Sequence, residues 1–522
     1  MAMEFITDLL KIDQILGEGD TQVLVEGDIL VPDVKPDISN ILCADGDVIV
    51  TKRESVQDKI IVDGVVNFKI LYNSDAGDYS VYSMNANAGF SQNIDIPGTT
   101  VGMNEEVSCN IEHIDFDIIN ERKLSVKAVV NLDGKTLSSN RIEVIKDISG
   151  LNDLQTLKKT ISYTNMVGSN KSDTMIREKF ELDGDSPEIA EILKCDAYAV
   201  EKERQVTDGK VIVSGTVKTN TLYVADDESN SLHVLKHEIP FTHFVEVTGA
   251  LKGMEPKLTL KIDEVYTDVG ENLEGERKLY EMEAVVKVDA SVIDKEEKEV
   301  ITDVYSPTKN LKLEKEKVDF YKVIGENNAS MMVKETLSIQ PQDPDIFKVL
   351  NVYAKPVITD TSVVDEKVII EGIAETDIVY MCQNQKAHSF KQEIPFRHFV
   401  DVHNAKEGMA ATAHLTLSDV SYSLINPQQI EVRNGIVAMC SVNHKYALDA
   451  VMNMEELEEK DYINNMPSII VYYVQPGDSL WKIAKRYNTT IPALVRSNDI
   501  EDPNMIMPGD VLIIPKIYKY KF

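Results

Sequence analysis

The segment IIVDGVVNFKILY, residues 60–72, decides the fold because its side chains alternate regularly between two sides. Ile60, Val62, Val66, Phe68, Ile70 and Tyr72 fall on one side, and Asp63, Asn67 and Lys69 fall on the other. This alternation predicts a β-strand with one buried face. Gly64 interrupts the apolar side, which predicts a bulge or a close approach of another backbone at that point.

The same segment occurs twice more, as VIVSGTVKTNTLY at 211–223 and VIIEGIAETDIVY at 368–380. The distances to other landmarks are constant: 19 residues from Gly17, Gly168 and Gly325 to Pro36, Pro187 and Pro344, then 28 to Gly64, Gly215 and Gly372, and 8 more to Tyr72, Tyr223 and Tyr380. Constant spacing in three copies identifies an internal repeat.

A short helix is predicted at the prolines, in KPDISNIL (35–42), SPEIAEIL (186–193) and DPDIFKVL (343–350). Proline is favoured in the first helical position, and Ser186 and Asp343 are suitable N-cap residues. The apolar residues of the second copy, Ile189, Ile192 and Leu193, have helical spacing. We therefore expect one short amphipathic helix in each repeat.

Further strand-like segments complete each repeat, namely LSVKAVVNLD from Leu124, YEMEAVVKVD from Tyr280 and IEVRNGIVAM from Ile430. Many strands and turns predict mainly β units of roughly 150 residues, sandwich or barrel-like, each with a short helix. The predicted bounds are 1–148, 149–302 and 303–455, followed by a charged linker at 456–468 and a small C-terminal domain at 469–518.

A second shared block is HEIPFTHFVEV at 237–247 and QEIPFRHFVDV at 392–402, which the first repeat replaces with NIDIPGTTVGM. It contains His243 and His398 at equivalent positions. Because the first repeat lacks the block, a structural or interface role is favoured over a catalytic base for these histidines.

Charge excludes several classes of partner. Asp and Glu number 87 against 54 Lys and Arg, giving a net charge of -33. Such a chain repels phosphate backbones and anionic lipid, so we expect no nucleic-acid binding. No apolar run approaches the length of a membrane-spanning helix, so we expect no direct membrane insertion.

A cytosolic location is predicted from two further features. The N-terminal MAMEFITDLLKIDQILGEGD is acidic and lacks the basic and apolar regions of a secretory signal. The five cysteines are scattered and form no CxxC pair, which favours buried thiols in a reducing compartment over disulfides or metal ligands.

The sequence has no recognisable catalytic motif. It contains no phosphate-binding loop, no HExxH, no GxSxG and no calcium-loop pattern. We therefore expect a protein that is not an enzyme and has no catalytic residues, no metal site and no cofactor.

The C-terminal segment VYYVQPGDSLWKIAKRYNTTIPALVRSNDIEDPNMIMPGDVLIIP begins at Val471 and differs in character. We predict a strand, a helix capped by Asp478 or Ser479, a second helix capped by Thr490, and a closing strand paired with the first.

This segment resembles a LysM domain, and the three repeats resemble the SPOCS repeats of spore coat assembly proteins. Together they resemble the family of SipL-type spore coat morphogenetic proteins. The resemblance implies a non-enzymatic scaffold or adaptor in the mother-cell cytoplasm, at the forespore surface. It also implies recruitment through the LysM domain to the coat basement ATPase, stage IV sporulation protein A, and contact with other spore coat proteins.

LysM domains usually bind N-acetylglucosamine polymers, so a peptidoglycan or chitin-like glycan is the alternative ligand. By resemblance, the glycan groove lies between two loops, with candidate residues Gly477, Asp478, Ser479 and Leu480 in one and Asn504, Met505 and Pro508 in the other. Trp481, the single tryptophan, is either part of the domain core or a partner anchor. Ile469 either packs on the third repeat or offers an exposed apolar edge.

Overall fold

The computed structural model describes residues 4–151, 153–457 and 469–515, except for the side chains of 12–15 and 138–140. Strands account for most of these residues, which confirms the prediction of a mainly β protein. The first repeat contains β1 (Glu4–Leu30), β2 (Asn40–Val56), β3 (Lys59–Asn73), β4 (Val81–Asp95), β5 (Asn104–Asn120) and β6 (Lys123–Ser149). The second contains β7 (Gln155–Glu181), β8 (Ile189–Thr207), β9 (Lys210–Ala225), β10 (Leu232–Glu246), β11 (Glu255–Gly270) and β12 (Leu279–Tyr305). The third contains β13 (Asn310–Ser338), β14 (Ile346–Val364), β15 (Lys367–Cys382), β16 (Ala387–Asp401), β17 (Ala410–Asn426) and β18 (Gln429–Leu457).

A small C-terminal module follows, consisting of β19 (Ile469–Tyr473), α1 (Leu480–Arg486), α2 (Ile491–Asn498) and β20 (Val511–Pro515). Its two strands pair with each other in antiparallel fashion. The predicted order of strand, helix, helix and strand is confirmed.

Each repeat has two three-stranded antiparallel sheets with the same strand order. In the first repeat, β6 lies between β1 and β5, and β3 lies between β2 and β4. The inner faces of both sheets contribute to one apolar core, which includes the buried Val62, Phe68 and Tyr72 of β3 and Val126 and Val130 of β6. The alternation of residues 60–72 thus correctly predicted a strand with one buried face.

The recurring strand glycine allows a close approach between neighbouring strands. At Gly215, a Cβ atom would lie 2.6 Å from the carbonyl oxygen of Val200 and 2.8 Å from the ring of Phe241. Phe90 and Phe396 take the place of Phe241 at Gly64 and Gly372. This confirms the predicted close approach, because a side chain at the glycine would collide with backbone on one side and with a ring on the other.

The position of Phe90 also corrects the alignment of the shared block. Phe90 pairs with Gly64 as Phe241 pairs with Gly215. Residues 86–96 are therefore the first repeat's version of the block, and NIDIPGTTVGM aligns further along, with the segment that begins at Phe244. The first repeat thus has the equivalent segment, but few of its residues are identical to those of the other two repeats.

The prediction of a short helix in each repeat is wrong, because the structure has no helix at 35–42, 186–193 or 343–350. Pro36, Pro187 and Pro344 lie in equivalent non-helical segments, each between a turn and the start of β2, β8 or β14. The apolar residues after them enter these strands, whose register shifts between Ile192 and Lys194 in β8. Because such a bulge breaks the two-residue alternation, buried side chains recur at a spacing that imitates a helix.

The three repeats pack into a closed ring in which each contacts both others. One apolar cluster collects Leu42, Leu193 and Leu350 from equivalent positions, together with Leu71, Leu222, Val379, Val81, Leu232 and Ala387. A second cluster joins Leu10, Ile161 and Val318 with Val144, Val300 and Ala450. Burial of equivalent residues from all three repeats makes the ring one continuous packed body.

The ends of two strands can be compared with the predicted domain bounds, which stay predictions. β12 continues to Tyr305 and β18 to Leu457, so both last strands extend two or three residues past the predicted ends at 302 and 455. Most of the predicted linker, 458–468, lies outside the described residues, as do residues 516–518 of the predicted C-terminal domain.

All five cysteines are free, and Cys43, Cys382 and Cys440 are buried. Burial raises the pKa of Cys43 to about 12, which keeps its thiol protonated and unreactive. Neither helix of the described residues has the length and apolarity needed to cross a membrane.

Candidate functional site

The C-terminal module is held together by the caps that its sequence predicts. The Ser479 hydroxyl accepts a hydrogen bond from the backbone N–H of Lys482, and the Thr490 hydroxyl accepts one from that of Ala493. The buried core between strands and helices consists of Val474, Leu480, Ile483, Ala484, Leu494, Leu512 and Ile514. Of the two candidate caps of α1, Ser479 takes the role.

Asp478 closes the turn before α1 instead. Its carboxylate accepts hydrogen bonds from the Tyr472 hydroxyl at 2.6 Å and from the Gln475 backbone N–H at 2.9 Å. The hydrogen bond from Tyr472 has the largest effect, and together with that from Gln475 it lowers the pKa of Asp478. Arg486 donates to the same Tyr472 hydroxyl at 3.0 Å, so the loop is fixed to both β19 and α1.

The two predicted groove loops lie side by side. The Val474 backbone N–H donates a hydrogen bond to the Asp510 carbonyl oxygen at 2.9 Å, and the Gly509 N–H donates one to the Val474 carbonyl oxygen at 2.9 Å. Gly477 and Ser479 in one loop are exposed, as are Asn504, Met505 and Pro508 in the other, whereas Leu480 is buried in the core. The exposed candidates thus lie on two loops whose ends are joined, whereas Leu480 belongs to the module core.

The outer face of the two-stranded sheet is apolar and open to solvent. It is formed by Ile469, Val471 and Tyr473 of β19 and by Val511 and Ile513 of β20, which are between 44% and 65% exposed. Val471 pairs with Ile513 and Tyr473 pairs with Val511, so the five side chains form one surface. We call these five residues the apolar sheet face. Ile469 is therefore an exposed apolar edge and is not packed on the third repeat.

Trp481 lies on the opposite side, half-buried against the second repeat. Its indole N–H donates a hydrogen bond to Asp303 Oδ2 at 2.9 Å, and its ring meets that of Tyr305 edge-on with centroids 5.0 Å apart. The Tyr305 hydroxyl donates to the Thr489 carbonyl oxygen at 2.9 Å. Trp481 is thus neither wholly in the module core nor freely exposed, because another part of the same chain covers it.

Asp303 is the electrostatic centre of this contact. Burial alone would raise the pKa of Asp303, but hydrogen bonds from Lys485, Trp481 and Lys315 lower it overall. Lys485 Nζ lies 2.6 Å and 2.7 Å from the two carboxylate oxygens. Lys315 of β13 adds an ion pair at 3.0 Å. The carboxylate is therefore charged and fully engaged at neutral pH.

Only the second repeat has this pair of contact residues. Asp303 follows the bulged Thr302 in β12, just as Asp147 follows Lys146 in β6. The residues that correspond to Tyr305 are Ser149 in the first repeat and Glu455 in the third. Neither has an aromatic ring, so the module is docked at the one repeat that offers a carboxylate and a ring together.

Two family models match parts of the chain. The model of the SipL SPOCS domain matches residues 37–119, 188–269 and 345–425, and that of the LysM domain matches residues 472–515. The chain has the domain architecture of SipL-type proteins. No curated protein and no solved structure matches the chain.

The family matches cover β2 to β5 of the first SPOCS repeat and the corresponding strands of the others. The long strands β1 and β6, and their counterparts, lie largely outside them. Asp303 and Tyr305 are in such a strand, so the docking site for the LysM domain falls between the matched regions.

Sequence reasoning missed most of the apolar sheet face and all of Asp303 and Tyr305. The signal for the former was present, since neither IIVYY (469–473) nor VLIIP (511–515) has polar residues alternating with apolar ones. No comparable signal marks Asp303, because it is one of 87 acidic residues and its partners in the C-terminal module follow far along the chain.

Elsewhere, the described residues contain no group of three or more His, Cys, Asp and Glu side chains placed to hold a metal ion. His243 is hydrogen-bonded to the hydroxyl of Ser172 at 2.9 Å. Burial lowers the pKa of both His243 and His398. Both histidines lie on strands rather than in a cleft with other reactive groups, as expected for a structural role.

Proposed function

We propose that this chain is a non-enzymatic scaffold or adaptor for spore coat assembly around the forespore. In this proposal it works in the mother-cell cytoplasm and is recruited through its LysM domain to the coat basement ATPase, stage IV sporulation protein A. The SPOCS and LysM matches support a role in sporulation. The observation that carries the protein-binding role is the apolar sheet face of the LysM domain.

An exposed apolar surface of this kind favours a protein ligand over a sugar. Ile469, Val471 and Tyr473 project from one side of a short strand, and none has a polar group that would fix a glycan except the Tyr473 hydroxyl. Contiguous exposed apolar residues commonly mark protein-binding sites. We therefore assign the main partner contact to the apolar sheet face, with Ile469 at its end.

The ring of SPOCS repeats suits a scaffold. Its inter-repeat clusters bury equivalent residues from all three repeats, so the outer surfaces are held at fixed mutual positions. We propose that these outer surfaces bind other spore coat proteins, while the LysM domain supplies the attachment to the coat base.

Glycan binding is the alternative function, and the exposed groove loops favour it. Gly477 and Ser479 in one loop, and Asn504, Met505 and Pro508 in the other, stay exposed when the LysM domain is docked. A peptidoglycan or chitin-like strand would have access to them in the docked state.

We expect Ile469→Asp to weaken binding to the coat ATPase by about 2 kcal/mol or more, because a charge replaces an apolar side chain of the proposed contact. That corresponds to roughly a thirtyfold rise in Kd. Titration of the full chain against the purified ATPase measures this Kd. Leu273→Asp, at a fully exposed apolar residue of the second repeat, is the matched control and should bind as the unaltered chain does.

Two results would refute the assignment. If a chain lacking residues 469–522 binds the ATPase with undiminished affinity, the site lies in the SPOCS repeats. If the chain co-sediments with insoluble peptidoglycan, and Met505→Asp abolishes this while Ile469→Asp does not, the groove loops bind glycan and the alternative function is favoured.

A further inference from the structure

The contact between the LysM domain and the second SPOCS repeat is small and centred on one carboxylate. We call it the latch, defined as Asp303 and Tyr305 with Trp481, Lys485 and Thr489. Among the described residues, Tyr305 is the one residue from outside the domain that joins the domain's apolar core. The rest of the latch consists of hydrogen bonds and ion pairs to Asp303.

The latch differs in kind from the contacts that close the ring. The ring clusters bury aliphatic side chains from all three repeats, and their stabilisation is proportional to the apolar area removed from water. The latch depends instead on a carboxylate shared by Lys485 and Lys315, whose side chains are 40% and 36% exposed. The Asp303 side chain is itself only 15% exposed, so these ion pairs are partly buried, but they still reach solvent through the lysines and are weakened by salt. Of the side chains that the structure describes, Tyr305 is the one from the second repeat that adds apolar burial to the latch, whereas the ring clusters bury many. The latch therefore has less apolar area to lose on opening than the ring does.

Opening would uncover a different surface from the one exposed in the docked state. The apolar sheet face and the groove loops are exposed while the latch is closed, but the side of α1 with Trp481 is not. A tryptophan that packs edge-on against a tyrosine offers a large rigid contact surface once released.

We propose that the latch can open, and that the Trp481 side of the LysM domain becomes available to a protein partner only when the contacts of Asp303 with Trp481 and Lys485 break. The first half concerns this chain alone. The second half rests on the proposed function, since it takes the coat ATPase as the partner and adds a second contact to the apolar sheet face. The docked state is then a closed form, and a partner that engages Trp481 shifts the chain to the open form.

Trp481 is the single tryptophan, so fluorescence of the full chain reports on the latch directly. We expect Asp303→Ala to shift the emission to the red and to raise the acrylamide quenching constant, because the indole gains solvent. Asp147→Ala is the matched control, since Asp147 holds the equivalent place in the first repeat without a LysM domain against it. Its emission and quenching should equal those of the unaltered chain.

Lys485→Ala tests the latch from the other side, in case Asp303→Ala disturbs the end of β12. Lys485 is at the end of α1, and its ammonium group contacts Asp303, so its removal should raise quenching without altering the second repeat. Circular dichroism checks that both variants keep the β-rich fold. If neither variant changes the exposure of Trp481, the latch does not hold the domain in solution and the proposal is overturned.

Titration with the coat ATPase separates the two halves. A higher affinity of both Asp303→Ala and Lys485→Ala, together with higher quenching, supports the whole proposal. Higher quenching with unchanged or lower affinity overturns the claim that the latch guards a partner site. If no form of the chain binds the ATPase, the proposed function fails, and fluorescence alone still decides whether the latch opens.

Discussion

At the scale of single residues, the LysM domain shows what sequence can and cannot indicate. Ser479 and Thr490 cap their helices as predicted, because an N-cap depends on backbone atoms only three residues away. The surroundings of Trp481 were not predictable, because Asp303 and Tyr305 precede it by more than 170 residues in the chain. The sequence left two roles open for Trp481, the domain core or an exposed partner anchor. Neither role included a contact with another domain of the same chain.

Asp303 also predicts how docking depends on pH. It faces Lys485 and Trp481 of α1, Lys315 of β13 and Tyr305 of its own strand, and its pKa lies below the ordinary 3.8. A lowered pKa in the docked state means that the contribution of Asp303 is fully present above the ordinary value and is lost as the pH falls through the lowered one.

Trp481 emission should therefore stay constant from about pH 8 to pH 5 and shift to the red only in more acidic solution. Fluorescence across this range measures it, with circular dichroism to distinguish undocking from acid unfolding of the repeats. A transition between about pH 6 and pH 7 would contradict this account, because a histidine would then control the contact.

At the scale of secondary structure, strands were predictable where alternation is uninterrupted and misread where a bulge occurs. Apart from Gly64, residues 60–72 keep the alternation, and β3 forms as expected. In contrast, register shifts interrupt the alternation of β8, where Ile189 is buried in the core of its own repeat and Leu193 in the cluster shared by the three repeats. A bulge is defined by its pairing with another strand, so it leaves no reliable mark in the sequence of its own strand.

The glycine of the repeated strand gives a prediction at this scale. We expect Gly215→Ala to lower the free energy of unfolding by about 1–3 kcal/mol, because the added methyl group meets the Val200 carbonyl oxygen and the Phe241 ring. Chemical denaturation measures it. Gly184→Ala is the control, since a Cβ there meets nothing within 4 Å. Equal stability of the two variants would show that the strands can separate slightly without cost.

At the scale of the whole molecule, sequence indicated three units and their order but not their closure into a ring. Leu193 was predicted to lie on a helix face within the second repeat, whereas it meets Leu42 and Leu350 of the other repeats in one cluster. Repeat spacing is a property of each unit alone, and inter-repeat packing depends on which faces meet. The polar centre of the ring was not visible for the same reason.

That polar centre contains a buried lysine shared by the three repeats. Lys194 of the second repeat lies 3.3 Å from Asp45 of the first and 3.1 Å from Asp196 of its own, and its ammonium group is 3.8 Å from the ring centre of Tyr353 in the third. Burial alone would lower the pKa of Lys194, but Asp196, Tyr353 and Asp45 raise it overall. The lysine thus stays charged and neutralises two carboxylates.

Lys194→Ala should lower the free energy of unfolding by about 3–5 kcal/mol at neutral pH, because it leaves the largely buried Asp196 without its nearest counter-ion. Without the lysine, burial raises the pKa of Asp196 in the folded state, and repulsion from the half-exposed Asp45 nearby adds to this. Protonation then favours the folded variant, so the deficit should shrink as the pH is lowered towards about 5. Denaturation at both pH values measures this, with Lys202→Ala, an exposed lysine of the same strand, as the control. If Lys194→Ala is no less stable than Lys202→Ala, or its deficit does not change with pH, the ring does not depend on this charge and its apolar clusters alone hold it closed.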